Sequence, residues 1–310
     1  MNPWAKASGL VGACAAAILL ASCATVPQRT SSEWLGVLPA GATAYASLAV
    51  RGSADFIKKA LKDAGPGFQD VGSLVDMTKR LVCSVTVAKG SPARFSVVGL
   101  GNYPSGLIGL RLSGNKDWKW RKGASGPYWE WSKAGIQMTI PNNGILLAAN
   151  GAVDALLARW GAPVPLTVPP DVAGDMETTD LVLYLPELPG GLAQSAEASG
   201  MRIPIKEIWV DAARGQGGYA LTGTANTGSE KEAKLLALVL RLGLVAWLRS
   251  ENVPNVADRL KTVTVTAGGV QVKLAGLQFS EDEIIPLFLS LVKGLSPEEA
   301  PTSGTAEPLP

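Results

Sequence analysis

The chain has 310 residues, 47% hydrophobic and 17% charged, with 28 basic and 26 acidic side chains. That balance supports a sizeable core, excludes a wholly disordered chain and gives no sign of a nucleic-acid-binding protein. Histidine is absent, which removes the commonest general base, the usual zinc ligand and every Ser-His or Cys-His nucleophile pair.

At the N-terminus a single charge, Lys6, precedes an apolar run from Gly9 to Ala21 that ends in Leu20-Ala21-Ser22-Cys23. A basic start, a short apolar stretch and small residues make a secretory signal. The run falls short of the about 20 residues that a spanning helix needs. Leu20 to Cys23 resembles the lipobox of bacterial lipoproteins. The resemblance implies removal of residues 1–22 as a signal peptide and acylation of Cys23, which becomes the first mature residue. One acyl chain anchors only marginally, and the family carries several on that cysteine. Ala24 stands where an Asp would favour inner-membrane retention, so the resemblance implies an outer-membrane anchor facing either side of that membrane. Cys14 leaves with the signal and Cys23 is acylated, which leaves Cys83 without a disulfide partner. Removing Lys6 leaves 27 basic against 26 acidic side chains.

Residues 23–32 read as a polar tether. The first half, 33–162, opens with a strand over Ala44–Val50 and a helix over Ser53–Asp63, capped by Ser53 and stopped at Gly65-Pro66. Strands follow at 81–88 and 94–100, then a short apolar piece at 105–112. Further strands at 128–133, 135–140 and 144–149 lead to a helix over Ala152–Trp160, with Asn150 as its candidate cap. Proline-rich residues 163–179 read as a linker; Asp175 and Glu177 at its far end sit together with Asp180 just beyond it.

The second half, 180–294, repeats the order. A strand over Asp180–Leu185 and a weak helix at 190–199 precede strands at 206–213 and 217–225 and a strong helix over Glu230–Arg249. A hairpin at 261–266 and 270–275 turns on Gly268-Gly269, and a last helix, 281–293, begins after Ser280. Ser229 with Glu232, and Ser280 with Glu283, are spaced as capping boxes. Residues 295–310 have the composition of a disordered tail. The expected fold class is α+β, two similar β-α-β-β-α-β-β-α halves with mainly antiparallel sheets.

Two features carry the functional expectation. From Leu235 to Arg249 the 230–249 helix is apolar almost all round, with a narrow stripe at Lys234 and Arg241. It spans about 22 Å there, short of a bilayer core of about 30 Å. Such a helix covers a sheet, lines an apolar cavity or enters lipid. The 281–293 helix poses the same choice, so Leu235, Leu238, Leu242, Trp247 and Phe288 are candidate ligand- or membrane-binding residues. The second feature is a Trp-rich hairpin over 116–133. There Trp118 with Trp120, and Trp129 with Trp131, share faces if both arms are strands. They either cover the core or form an aromatic, cationic docking surface.

Enzyme motifs are absent or isolated: Ser113-x-x-Lys116 and Ser290-x-x-Lys293 lack companion motifs. No catalytic residue, metal site or cofactor is expected. The lipobox together with strongly apolar helices resembles the treponemal outer-membrane-associated lipoproteins, which pair an α+β body with amphipathic membrane-sensing helices. The expectation is a lipid-anchored, non-enzymatic envelope protein. It engages membrane lipid or an apolar ligand through its helices; the alternative is an adaptor that docks a protein or cell-wall partner through its sheets and Trp-rich hairpin.

Overall fold

The computed structural model describes residues 31–50, 53–54, 57–58, 72–88, 91, 93–133, 135–151, 153–162, 164, 168–188, 205–215, 218–250, 253, 255–280 and 282–284. Among these, twelve strands form one sheet with every neighbour antiparallel. The strands are β1 (Ala44–Ala49), β2 (Thr78–Thr86), β3 (Arg94–Gly101), β4 (Trp118–Lys122), β5 (Pro127–Trp131) and β6 (Ile136–Asn142). They continue with β7 (Ile145–Asn150), β8 (Leu181–Leu185), β9 (Ile205–Gly215), β10 (Gly218–Thr227), β11 (Thr264–Gly268) and β12 (Gln271–Phe279). The order across the sheet is β11-β12-β10-β9-β8-β1-β2-β3-β7-β6-β5-β4. The fold is therefore α+β with antiparallel pairing. The segments on either side of residues 163–179 contribute to the same sheet through the central β1–β8 pair, where Tyr45 lies opposite Tyr184 and Ser47 opposite Val182.

Alternation along the strands gives the sheet two faces. On the first, Val82, Val98, Leu147, Val182 and Trp209 meet three helices: α1 (Ser31–Leu35), α4 (Val153–Gly161) and α5 (Pro170–Thr178). On the second, α2 (Gly72–Met77), α3 (Ser105–Gly114), α6 (Glu230–Ser250) and α7 (Val256–Leu260) cover separate smaller clusters.

Several local expectations need revision. Residues 163–179 are more than a linker: α5 starts with Pro170 in its first turn, where a missing N–H costs nothing, and buries Val172 and Met176 in the core of the first face. The apolar piece at 105–112 is helical despite Gly106, Gly109 and Gly114. Asn150 does not cap α4. Its Oδ1 accepts from Phe95 N at 2.7 Å and its Nδ2 donates to Ala93 O at 2.7 Å, while Val153 N donates to Gln137 Oε1 at 3.2 Å. Of the helix expected at 53–63, Ala54, Ile57 and Lys58 are helical and most other positions lie outside the described residues. The same holds for the signal and most of the tether, the helix at 190–199, nearly all of 281–293 and the tail.

Both capping boxes form in part. Glu232 N donates to Ser229 Oγ at 3.3 Å, and Ser280 N donates to Glu283 Oε2 at 2.8 Å. Cys83 lies half-buried in β2, and burial pushes its thiol up to about 11, so it is a neutral structural thiol at pH 7.

On the first face, Asp211 of β9 is pushed up to about 6 from 3.8, chiefly by burial and further by the Asp175 carboxylate of α5. A raised carboxyl pKa means that the fold favours the protonated form. Its stabilising effect is complete below the unfolded value near 3.8 and is lost as pH rises through about 6. Asp211→Asn is therefore expected to raise the melting temperature at pH 7.5 and to change it little at pH 4. Thermal melts across that range check this, and an equal effect at both ends counts against it.

Candidate functional site

Among the described residues, the large apolar side chains that stand exposed are Leu107, Leu110, Trp120, Leu235, Leu238, Leu242 and Val270. Six of them sit on α3, β4 and α6, on the second face, and Val270 lies in the β11–β12 turn. The first face has no comparable group among the described residues.

Helix α6 turns its inner side to the sheet at Ala233, Leu236, Ala237 and Leu248, with Leu240 and Leu244 partly buried beside them. That is the spacing of a single packed stripe. The opposite side carries Leu235, Leu238 and Leu242, exposed by 49%, 52% and 70%. These positions are i, i+3 and i+7 and form one outward row. Lys231, Lys234, Arg241 and Arg249 are exposed around it. Past Glu232 the helix holds no acidic side chain. Glu230 and Glu232 occupy its first turn, where they favour the positive end of the helix dipole. Arg241 also reaches down and donates to the Val265 carbonyl of β11. Among the described residues no helix is long and apolar enough to cross a membrane.

Helix α3 is held from beneath. Tyr103, fully buried, places its hydroxyl 2.9 Å from Thr78 Oγ1, which donates to Leu74 O of α2 at 2.6 Å. Burial pushes that phenol up to about 12. Gly101 allows this closure: a Cβ there would lie 2.2 Å from Met77 O. Ile108 and Leu112 face the sheet, while Leu107 and Leu110 point away with exposures of 46% and 72%. A groove of about 730 Å³ runs beside them, lined by Leu74, Met77, Leu107 and Leu110 with Arg111 and Lys116 at its rim.

The Trp-rich hairpin forms with Trp118 opposite Trp131 and Trp120 opposite Trp129. All four indoles share the second face, and Lys119 and Arg121 take the first. Trp118 and Trp131 stack at 6.1 Å and 19°, and Trp131 is buried. Arg121 Nε donates to Glu130 Oε2 at 2.8 Å on the other side. Trp120 is 56% exposed. The hairpin thus both covers the core and presents one indole. The side chain of Trp247, and Phe288 altogether, lie outside the described residues, as does Cys23. The exposed leucines of α3 were not among the sequence-based candidates. Leu107 and Leu110, three apart in a Gly-rich piece, gave too short a period to mark a helix face.

Among the described residues no group of acidic or cysteine side chains is placed to hold a metal ion. No protein-family model matches the sequence, and no curated protein sequence matches it. Solved structures do match in fold. Crystal form III of TP0453 superposes with a TM-score of 0.61 at 18% identity, covering 83% of this chain and 97% of that one. The fold resembles that of TP0453. Crystal forms I and IV agree, with TM-scores of 0.58 and 0.57 at the same 18% identity. Each covers at least 82% of this chain and 95% of TP0453, so the likeness extends over most of both chains. At that identity TP0453 supplies a fold and no residue roles.

Proposed function

We propose that this is a non-enzymatic envelope lipoprotein, anchored by acylated Cys23, whose α6 docks onto an anionic membrane surface. The observation that carries the reading is the outward row Leu235, Leu238 and Leu242 fringed by Lys231, Lys234, Arg241 and Arg249. An amphipathic helix of this kind lies in the interface plane, its apolar row among the acyl chains and its cations at the headgroups. Helix α3 adds Leu107, Leu110 and Arg111 on the same face of the sheet. The fold shared with TP0453 and the resemblance of the lipobox and apolar helices to treponemal outer-membrane-associated lipoproteins support envelope placement. The lipobox supports the anchor and an outer-membrane address.

The test is flotation of the unacylated chain starting at Ala24 with vesicles containing about one-third phosphatidylglycerol, with tryptophan emission followed in parallel. Flotation with a blue shift supports docking by the folded body. Failure to float on anionic vesicles removes it and leaves Cys23 as the sole membrane contact.

The adaptor reading retains one observation, Trp120 standing exposed on the edge strand β4 beside Lys119, Arg121 and Lys122. It becomes the preferred reading if flotation fails and a protein partner is lost on Trp120→Ala.

A further inference from the structure

A cavity of about 460 Å³ opens on the first face, away from α6, at the end of the sheet where β2 finishes and β3 begins. Its wall is built from Pro39, Ser84, Thr86, Arg94, Phe95, Ser96, Asn150 and Gly151. That volume suits a small ligand. Register explains the lining. Ser84 lies opposite Ser96, and Thr86 opposite Arg94, so three hydroxyls and a guanidinium are brought to one patch of one face by two adjacent strands.

Three features mark a built site rather than a surface dent. First, Ser84 is 1% exposed and its Oγ has no hydrogen-bond partner. A buried hydroxyl without a partner is costly, and native proteins rarely tolerate one without a water, an ion or a function. Second, the backbone that carries the exposed Arg94 is fixed on both sides. Asn150 accepts from Phe95 N and donates to Ala93 O, both at 2.7 Å, and so clamps the backbone on either side of the arginine. The facing strand is fixed too, because Val87 N donates to Thr43 Oγ1 at 2.9 Å. Third, none of the lining side chains is acidic. Hydroxyl donors beside one guanidinium, with no carboxylate in the wall, fit an anion with several acceptor oxygens.

We propose that this cavity binds a small phosphate-bearing ligand, with Arg94 pairing the anion and Ser84, Ser96 and Thr86 donating to its oxygens. The site is separate from the docking helices, so it stands or falls independently of the membrane reading.

The test uses the full chain purified in a non-ionic detergent and phosphate-free buffer. Inorganic phosphate and glycerol 3-phosphate are titrated by calorimetry, with short-chain phosphatidic acid as a competitor. Saturable binding that Arg94→Gln weakens by about tenfold or more is the expected result. Ser84→Ala should also weaken binding, yet leave the ligand-free melting temperature unchanged or higher, because it removes an unpartnered hydroxyl. Tighter displacement by phosphatidic acid than by glycerol 3-phosphate would assign a lipid headgroup. Equal or weaker displacement would assign a free phosphate ester. Either upholds the site. No saturable binding of any probe, or affinity unchanged in both variants, overturns it. A Ser84→Ala chain that melts lower without ligand shows that the hydroxyl is already satisfied, and also overturns it.

Discussion

Changing Leu235, Leu238 and Leu242 together to Gln is expected to cut partition of the unacylated chain onto anionic vesicles by about 100-fold and to leave its melting temperature nearly unchanged. Burying a whole leucine side chain stabilises by roughly 1.5–3 kcal/mol. Leu235 and Leu238 are already about half covered and Leu242 about a third, at 49%, 52% and 70% exposure, so insertion gains each about 1 kcal/mol. Three together give about 3 kcal/mol, close to two powers of ten in affinity. Glutamine keeps helix propensity near that of leucine, and substitutions at exposed sites usually stay within about 0.5 kcal/mol. The inward stripe of Ala233, Leu236, Ala237 and Leu248 is untouched. Charge gives a second handle. Each Lys or Arg close to an anionic surface adds about 1 kcal/mol, and salt screens it. Raising sodium chloride from 0.1 to 0.5 M should therefore weaken the native chain markedly. Flotation quantified against lipid concentration reads both effects. An undiminished partition of the triple variant would move docking away from α6.

How much of this was open to reading from the sequence depends on the range of the interaction involved. Local signals carried well. Alternation and turn residues marked the hairpins at 116–133 and 261–275, which form as β4–β5 and β11–β12, and Ser229 with Glu232 marked the start of α6. Pairings between distant residues did not carry. Nothing in Ala44–Ala49 announces Leu181–Leu185 as its neighbour, because two apolar runs of that length pair equally well with many others. Helix α5 was hidden by prolines read as breakers, although Pro170 in the first turn favours a helix. Helix α3 has three glycines and weak intrinsic propensity. It is held by Tyr103 and Ile108 against the sheet, a tertiary cause that propensity cannot show. The candidate site was half legible. An almost uniformly apolar α6 pointed to lipid or core, but only packing separates outward Leu235 from inward Leu236. The hydroxyls of Ser84 and Ser96 are 12 positions apart and meet solely through register.

Arg80→Met is expected to lower stability by roughly 2–3 kcal/mol, or about 5–10 °C in melting temperature, without weakening vesicle binding below the transition. Arg80 sits in β2 on the first face. Its Nη1 donates to Ser47 Oγ at 2.8 Å, Met176 O at 2.7 Å and Thr179 O at 2.9 Å. Ser47, fully buried, also donates to Met176 O at 2.6 Å. These contacts satisfy carbonyls at the C-terminal end of α5, which have no partner within the helix, and put a cation where the helix dipole is negative. Burial draws the guanidinium pKa below its ordinary value, while Asp180 and Glu177 raise it in opposition. An arginine stays charged throughout. Methionine keeps the apolar stem and removes every donor, so Thr179 O loses its arginine contact and Ser47 Oγ its donor. Arg80→Lys should recover only part of the loss, because one ammonium cannot reproduce the planar fork. A double-mutant cycle with Ser47→Ala is expected to show coupling, since the two side chains share Met176 O. Because α5 packs on the first face and α6 on the second, the Arg80 variant should float like the native chain at 20 °C. Loss of flotation together with stability would instead tie the two faces into one cooperative element.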